Sequence, residues 1–336
     1  MKSPIASALL IALVLVSCRP NTNKQAYTTN SGKIYGTFYN IVYQHPEGLD
    51  LHASIDSLFA DFDTSLSTFN PKSVISRINR NDPEVRVDNY FKEMYSQALE
   101  VSQVTHGAFD ITVAPLVNAW GFGFGNQEHD STPDVKALLA ITGYSKIGIE
   151  NDKLVKQNSS IMLDASAIAK GQASDVIAGM LKERGCTNYM VEIGGEVACQ
   201  GRNPKGTAWR IGIDKPYDDP ANESQELQTI VLISGVGLAT SGNYRQFYFR
   251  DGKKFAHTID PRTGFPVDHQ LLSATVISST CMKADAYATA FMVLGKDSAL
   301  QICNATPDTE CYLIYSGDDG KLNVAYTDGF QKYIAE

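Results

Sequence analysis

Apolar residues recur along this chain with two periods. Between Leu49 and Phe62, the residues Leu51, Ile55, Leu58, Phe59 and Phe62 fall three or four apart and share one face of a helix. Phe91 to Val101 repeats the pattern with Met94, Ala98 and Leu99. After Gly171, the positions Ala173, Val176, Ile177, Met180 and Leu181 predict a further amphipathic helix, closed by Gly185. Ala284 to Leu294 predicts a compact helix of small residues. The β-branched and aromatic runs predict strands at Tyr35–Tyr43, Tyr189–Ile193, Trp209–Ile213, Thr229–Ile233, Tyr244–Phe249, Leu271–Ile277 and Cys311–Tyr315. Leu163 to Gly171 reads as a strand running into a helix start. Helices set between runs of strands, with hairpin-like spacing in the second half, imply an α+β fold with antiparallel sheets and packed helices. No internal repeat or low-complexity block interrupts the pattern.

The N-terminus follows a different logic. Lys2 gives a positive start, and Ile5 to Val16 is apolar apart from Ser7. At about 12 residues this run is too short to cross a bilayer as a helix and suits the core of a signal peptide. It ends in Leu15-Val16-Ser17-Cys18, similar to a bacterial lipobox, in which the Cys18 thiol takes a diacylglyceryl group. The competing reading is a plain secretory signal with an incidental cysteine. The chain therefore divides into a signal peptide over 1–17, a lipidated polar tether over 18–32, and one domain over 33–336 on a membrane facing the periplasm. Several acyl chains on one cysteine would hold it there, where a single chain is marginal.

Composition adds limits. With 43% hydrophobic and 20% charged residues, 14 Phe and 16 Tyr, the chain has ample material for a core. A net charge of −8 with no basic stretch argues against nucleic acid as a partner. Beyond Cys18 the cysteines are Cys186, Cys199, Cys281, Cys303 and Cys311. An odd number cannot all pair, and no Cys/His spacing suggests zinc. A Cys303–Cys311 bridge stays open. Gly121-Phe122-Gly123-Phe124-Gly125 lacks the preceding strand and following helix of a dinucleotide-binding turn.

Three short runs carry candidate chemistry. In Lys283–Thr289, Asp285 and Thr289 lie four apart and share a helix face, where a carboxylate and a hydroxyl offer hard oxygen ligands to Mg²⁺. In His257–Gly264, a turn built on Asp260-Pro261 and Thr263-Gly264 presents His257 as a base near neutral pH and Arg262 as a phosphate partner. In Leu163–Gly171, backbone N–H groups at a helix start and Lys170 favour an anion. Taken singly, each has an ordinary alternative: a helix-start Asp with a back-bonded Thr, a turn with a satisfied His, a plain helix start.

Taken in order, these runs resemble the ApbE family of FAD:protein FMN transferases along nearly the whole mature length. The resemblance also rests on Gly36-Thr37, Ser67-Thr68-Phe69-Asn70, Ser76-Arg77-Ile78-Asn79, Gly107 to Thr112, Pro115 to Asn118, Trp120 to Gly123, Ala169-Lys170-Gly171, Gly194-Gly195-Glu196 and Ser241 to Tyr244. It implies a T-fold-like, two-lobed single domain. It further implies FAD contacts at Tyr35 (where the family usually has Met), Phe69, Ala108, Phe109, Asp110, Asp164, Lys170 and the backbone near Ile259. Mg²⁺ would sit between Asp285, Thr289 and the Ala167 carbonyl, with Ala288 close by. Ser166-Ala167 replaces a frequent Gly-Gly, which leaves a main-chain ligand unaffected. His257 matches the base for an incoming hydroxyl. The implied reaction moves FMN from FAD to a Ser or Thr of an acceptor and releases AMP. The implied acceptors are subunits of Na⁺-translocating NADH:quinone reductase or Rnf type that carry an Asp-Gly-x-Ser/Thr-Gly-Ala-Ser/Thr motif. This chain lacks that motif and reads as the donor enzyme. Rival readings are a pyrophosphatase that splits FAD to FMN and AMP, a flavin-binding lipoprotein without chemistry, and a solute-binding lipoprotein. The last is disfavoured by the missing linker between two similar lobes.

Overall fold

The structure is a computed structural model that describes residues 26–123, 133–216, 226–243, 247–250 and 253–335. The signal peptide, Cys18, the tether up to Gln25, Phe124-Gly125 and Tyr244 lie outside the described residues. In chain order the strands are β1 (Thr28–Ile34), β2 (Thr37–Tyr43), β3 (Ile147–Glu150), β4 (Lys153–Lys156), β5 (Tyr189–Ile193), β6 (Glu196–Gln200), β7 (Trp209–Asp214) and β8 (Leu227–Ile233). They continue with β9 (Val236–Gly242), β10 (Phe247–Arg250), β11 (Lys253–Ala256), β12 (Leu271–Ser278), β13 (Thr309–Ser316) and β14 (Leu322–Tyr326). The α-helices are α1 (His52–Leu66), α2 (Val74–Asn79), α3 (Asn89–Val104), α4 (Ala114–Ala119), α5 (Val135–Ala140), α6 (Ala169–Glu183), α7 (Cys281–Leu294) and α8 (Lys296–Ala305).

Eight strands form one sheet in the order β1-β2-β5-β6-β9-β12-β13-β14, and every pairing in it is antiparallel. Alternation along the strands sorts side chains to two cores. Cys311 and Leu313 of β13 pack with the helices, while Tyr312 and Ile314 pack with Trp209, Val231 and Phe330 on the opposite face. The β7–β8 hairpin and the C-terminal residues therefore cover one face, and α1, α3, α6 and α7 cover the other. The α+β expectation, with antiparallel sheets and packed helices in one domain, holds.

Apart from Lys283, Asp285 and Thr289, helix α7 carries apolar residues and one tyrosine on all sides, as a helix surrounded by protein should. Ala284, Ala286, Ala288 and Ala290 are fully buried between the sheet and α6. Its first turn is held from two directions. Thr280 caps it by accepting from Lys283 N, and the Asp175 carboxylate of α6 accepts from Cys281 N at 2.9 Å and Met282 N at 2.8 Å. Helix α6 passes so close that a Cβ at Gly171 would lie 2.5 Å from the Cys281 carbonyl oxygen.

Several expectations need correction. Tyr35 does not begin a strand. It forms with Gly36 the two-residue turn between β1 and β2, both at positive φ (51° and 76°), the geometry a tight hairpin favours. Strand β1 lies in residues 28–34, most of which read as polar tether, so the ordered domain begins before residue 33. Leu163-Asp164 is not a strand. Asn79 takes the place of a ladder partner by accepting from Leu163 N at 2.7 Å and donating to Leu163 O at 2.9 Å. Cys303 and Cys311 are free thiols, as are Cys186, Cys199 and Cys281, and all five are buried.

Candidate active site

The segments singled out in the sequence converge on one cleft of about 430 Å³, walled by Ala108–Ile111, Asp164, Ala167, Lys170, His257–Ile259, Asp285 and Thr289. A second cavity of about 730 Å³ holds Tyr35, Phe59, Phe62 and Phe69, and the two share Ser166 and Lys170. The first holds the charged and hydroxyl side chains among apolar ones and the second is mainly apolar, and both are lined by Lys170.

Each wall has a local cause. Asp285 and Thr289 are one turn apart on α7, whose alanines let the polar pair come close to the sheet. Asp285 is 3% exposed. One of its oxygens accepts from Gly171 N at 3.0 Å, and Thr289 Oγ1 meets Ser241 Oγ of β9 at 3.1 Å. Burial pushes the Asp285 carboxyl above its ordinary pKa, opposed by Lys170 and by the Gly171 N–H. A desolvated carboxylate beside a hydroxyl and the Ala167 segment is a hard oxygen set. Among the described residues no cluster of three or more His, Cys, Asp or Glu could enclose a metal. A cation here would take further ligands from a substrate, as Mg²⁺ does with phosphates.

Lys170 sits in the first turn of α6, and its Nζ lies 2.5 Å from Glu196 Oε1 at the start of β6. Burial alone would lower its pKa, but Asp285 and Glu196 outweigh burial and hold it above the ordinary value. Glu196 is itself pushed up to about 7, by burial first and by Asp285, against the pull of Lys170.

Asp110 and Asp164 contribute differently from a free carboxylate. Asp110 is buried and saturated: it accepts from Thr112 N, Thr112 Oγ1 and Tyr144 N at 2.6–2.8 Å. Asp164 accepts from Ser166 N and Oγ at 2.8 and 2.6 Å, which fixes the turn into α6. Both shape the wall, and the Ala108–Asp110 segment is braced by Thr105, whose hydroxyl accepts from Phe109 N. Phe69 stands at the mouth of the aromatic chamber with 82% of its surface exposed. Tyr35 packs its ring on Phe59 and Phe62, and its hydroxyl donates to Phe59 O at 2.8 Å.

The turn after β11 brings His257, Thr258 and Ile259 into the cleft. Phe122 meets the His257 ring edge-on at 6.4 Å, and Trp120 Nε1 donates to Gly264 O at 2.8 Å, which ties the turn to α4. Arg262 departs from expectation. It pairs with Asp260 through two parallel hydrogen bonds of 2.9 and 2.8 Å and does not line the cleft. Its guanidinium is paired within the turn, which that two-point contact stabilises.

Sequence reasoning assigned no role to Glu196, Asp175 or Ser241. Glu196 and Ser241 were visible only as members of matching motifs, and Asp175 carried no signal, since its partners are backbone N–H groups a hundred residues away.

Fold and site together define an antiparallel α+β protein with two adjoining cavities, a half-buried ammonium where they share Lys170, and a carboxylate and a hydroxyl on one wall. The ApbE family model matches residues 35–313. An FAD:protein FMN transferase of Haemophilus influenzae is 35% identical over 327 residues, covering 93% of this chain and 92% of its own length. One of Vibrio cholerae is 36% identical over 342 residues, 98% of each. The solved flavin transferase ApbE from Vibrio cholerae aligns with a TM-score of 0.81 at 36% identity, over 92% of this chain and 99% of that one. The apo flavinyl transferase ApbE of Pseudomonas stutzeri aligns with a TM-score of 0.80 at 31% identity, over 91% and 96%. The chain belongs to the ApbE family.

Proposed function

We propose that this protein is an FAD:protein FMN transferase that moves FMN from FAD to a Ser or Thr hydroxyl of an acceptor protein and releases AMP. The observation that carries the reading is that two adjoining cavities share Lys170, one of them mainly apolar and the other carrying Asp285 and Thr289 on its wall. FAD has a charged diphosphate between two extended groups, which matches that layout.

In the transfer, the acceptor's hydroxyl oxygen attacks the phosphorus of the FMN half. The bond from that phosphorus to the bridging oxygen breaks, and AMP leaves with the oxygen. Such transfers depend on positioning and on neutralising charge. Asp285, Thr289 and the Ala167 carbonyl are the residues that would hold Mg²⁺, which when bound supplies positive charge to the diphosphate oxygens. Lys170 adds a fixed ammonium beside them, and His257 accepts the proton from the attacking hydroxyl.

Incubation with FAD, Mg²⁺ and a peptide carrying Asp-Gly-x-Ser/Thr-Gly-Ala-Ser/Thr, followed by mass spectrometry, tests the reading. The expected result is FMN joined to the peptide with AMP released. Free FMN and AMP with unmodified peptide would favour the pyrophosphatase, and intact FAD would favour a binding protein. The acceptors we propose are subunits of Na⁺-translocating NADH:quinone reductase or Rnf type. A lipid on Cys18 would place the enzyme on a periplasm-facing membrane beside them, and Cys18→Ser should release it to the soluble fraction.

A further inference from the structure

Two buried carboxyl groups, Asp285 and Glu196, line the same cleft as the ammonium of Lys170. Lys170 feels the charge of both Asp285 and Glu196, yet its ion pair is with Glu196, at 2.5 Å. Glu196 is 3% exposed, walls the cleft, and has a second oxygen, Oε2, with no hydrogen-bond partner. Its backbone is fixed as well. Ser174 Oγ of α6 donates to Glu196 O at 3.2 Å, and the tight turn before it is formed by Gly194 and Gly195, both at positive φ. Burying a carboxyl group with one oxygen unpartnered is costly, and such a group calls for an explanation.

Without Glu196, the ammonium of Lys170 would have one buried carboxylate within its influence, Asp285. A half-buried ammonium and a buried carboxylate in one cleft attract each other more than they would in water. The pair would close, and the carboxylate that the cation needs would be occupied. With Glu196 present, the ion pair of Lys170 goes to Glu196, and Asp285 is left to meet a dication.

Resting on the metal reading given above, we propose that Glu196 is a positioning residue that draws Lys170 away from Asp285 and so keeps Asp285 open to the divalent cation. Glu196 acts through Lys170 and makes no bond to the reacting atoms.

A double-mutant cycle on the whole domain tests this, with Mn²⁺ as the probe, titrated calorimetrically with FAD absent and again with FAD saturating. Glu196→Gln keeps size and loses charge, and should weaken Mn²⁺ binding by about ten-fold or more. Lys170→Met removes the competing ammonium. In the Lys170→Met background, Glu196→Gln should cost little, because no ammonium remains to divert. A melting curve of each variant establishes that the fold is retained. Equal weakening by Glu196→Gln in both backgrounds would mean that Glu196 acts by its charge alone, and would overturn the proposal while leaving the cation site intact. Failure of the unmodified protein to bind Mn²⁺ under either condition would overturn the cation site itself, and the proposal with it.

Discussion

Gly171→Ala tests whether the closeness of α6 and α7 sets the site. Alanine is the better helix former, so intrinsic propensity alone would stabilise α6 by up to about 1 kcal/mol. Packing points the other way. The new Cβ would lie 2.5 Å from the Cys281 carbonyl oxygen and 2.8 Å from both Cys281 C and Asp285 Cβ. Two of these are backbone atoms and the third is the first atom of a side chain, so no rotamer change relieves the overlap. The helices must separate, and overpacking of this kind costs about 1–3 kcal/mol. The Gly171 N–H bond to Asp285, 3.0 Å now, lengthens at the same time. The net should be a loss of about 1–2 kcal/mol, and with about 2–4 °C per kcal/mol in a domain of this general size, a melting temperature lower by about 2–8 °C. Mn²⁺ affinity should fall with it, because Asp285 moves with α7. Scanning calorimetry and Mn²⁺ titration on one preparation measure both. A variant that melts at or above the unmodified protein, with Mn²⁺ uptake unchanged, would refute the close-packing argument.

Asp285→Ala should abolish FMN transfer at every Mg²⁺ concentration, while Thr289→Val should be milder because a neutral hydroxyl is the weaker ligand; rate against Mg²⁺ separates them. His257→Ala should lower turnover by about 10²–10⁴ with FAD affinity nearly unchanged, whereas a joint fall in affinity and melting temperature would assign it to holding the turn. The domain should bind FAD more tightly than FMN by calorimetry, since FMN leaves one chamber empty. Asp175 is pushed up to about 6 by burial, against the N–H groups of Met282 and Cys281. A folded carboxyl above its unfolded pKa binds its proton better folded than unfolded. Stability should therefore fall on the order of 2 kcal/mol as pH rises from about 4 to about 6, and Asp175→Asn should remove that slope in urea titrations at stepped pH.

Much of the fold was legible because the pattern and the burial agree. Helices α1 and α3 show their core stripes in Ile55, Phe59, Phe62 and in Phe91, Met94, Ala98, which are buried as the spacing requires. The errors fall where a partner far along the chain replaces a local signal. Strand β1, Thr-Thr-Asn-Ser-Gly-Lys-Ile, is a polar edge strand that only its pairing with β2 reveals. Leu163 looked like a strand because it is apolar and buried, but its backbone partner is the Asn79 side chain rather than another strand. Helix α7 begins three residues before the first alanine because Thr280 and Asp175 complete its first turn, and Asp175 belongs to another helix.

The site was legible to the extent that its chemistry lies within short runs. Asp285 and Thr289 could be joined by helical spacing, and His257 by its turn. What spacing could not convey is which charge answers which. Arg262 seemed free for phosphate, but Asp260, two residues away, takes it in a two-point pair that a turn makes easy. Lys170 and Glu196 lie on different elements, α6 and β6, and only the packing of α6 on the sheet brings them to 2.5 Å. On the reading we propose, that pairing governs what the cleft can hold: a lysine committed to Asp285 would occupy it, and a lysine held by Glu196 would leave Asp285 open. A diphosphate with a dication asks for both at once, a cation to meet its oxygens and an anion to hold the metal. On the reading we propose, three residues drawn from α6, β6 and α7 would meet both needs.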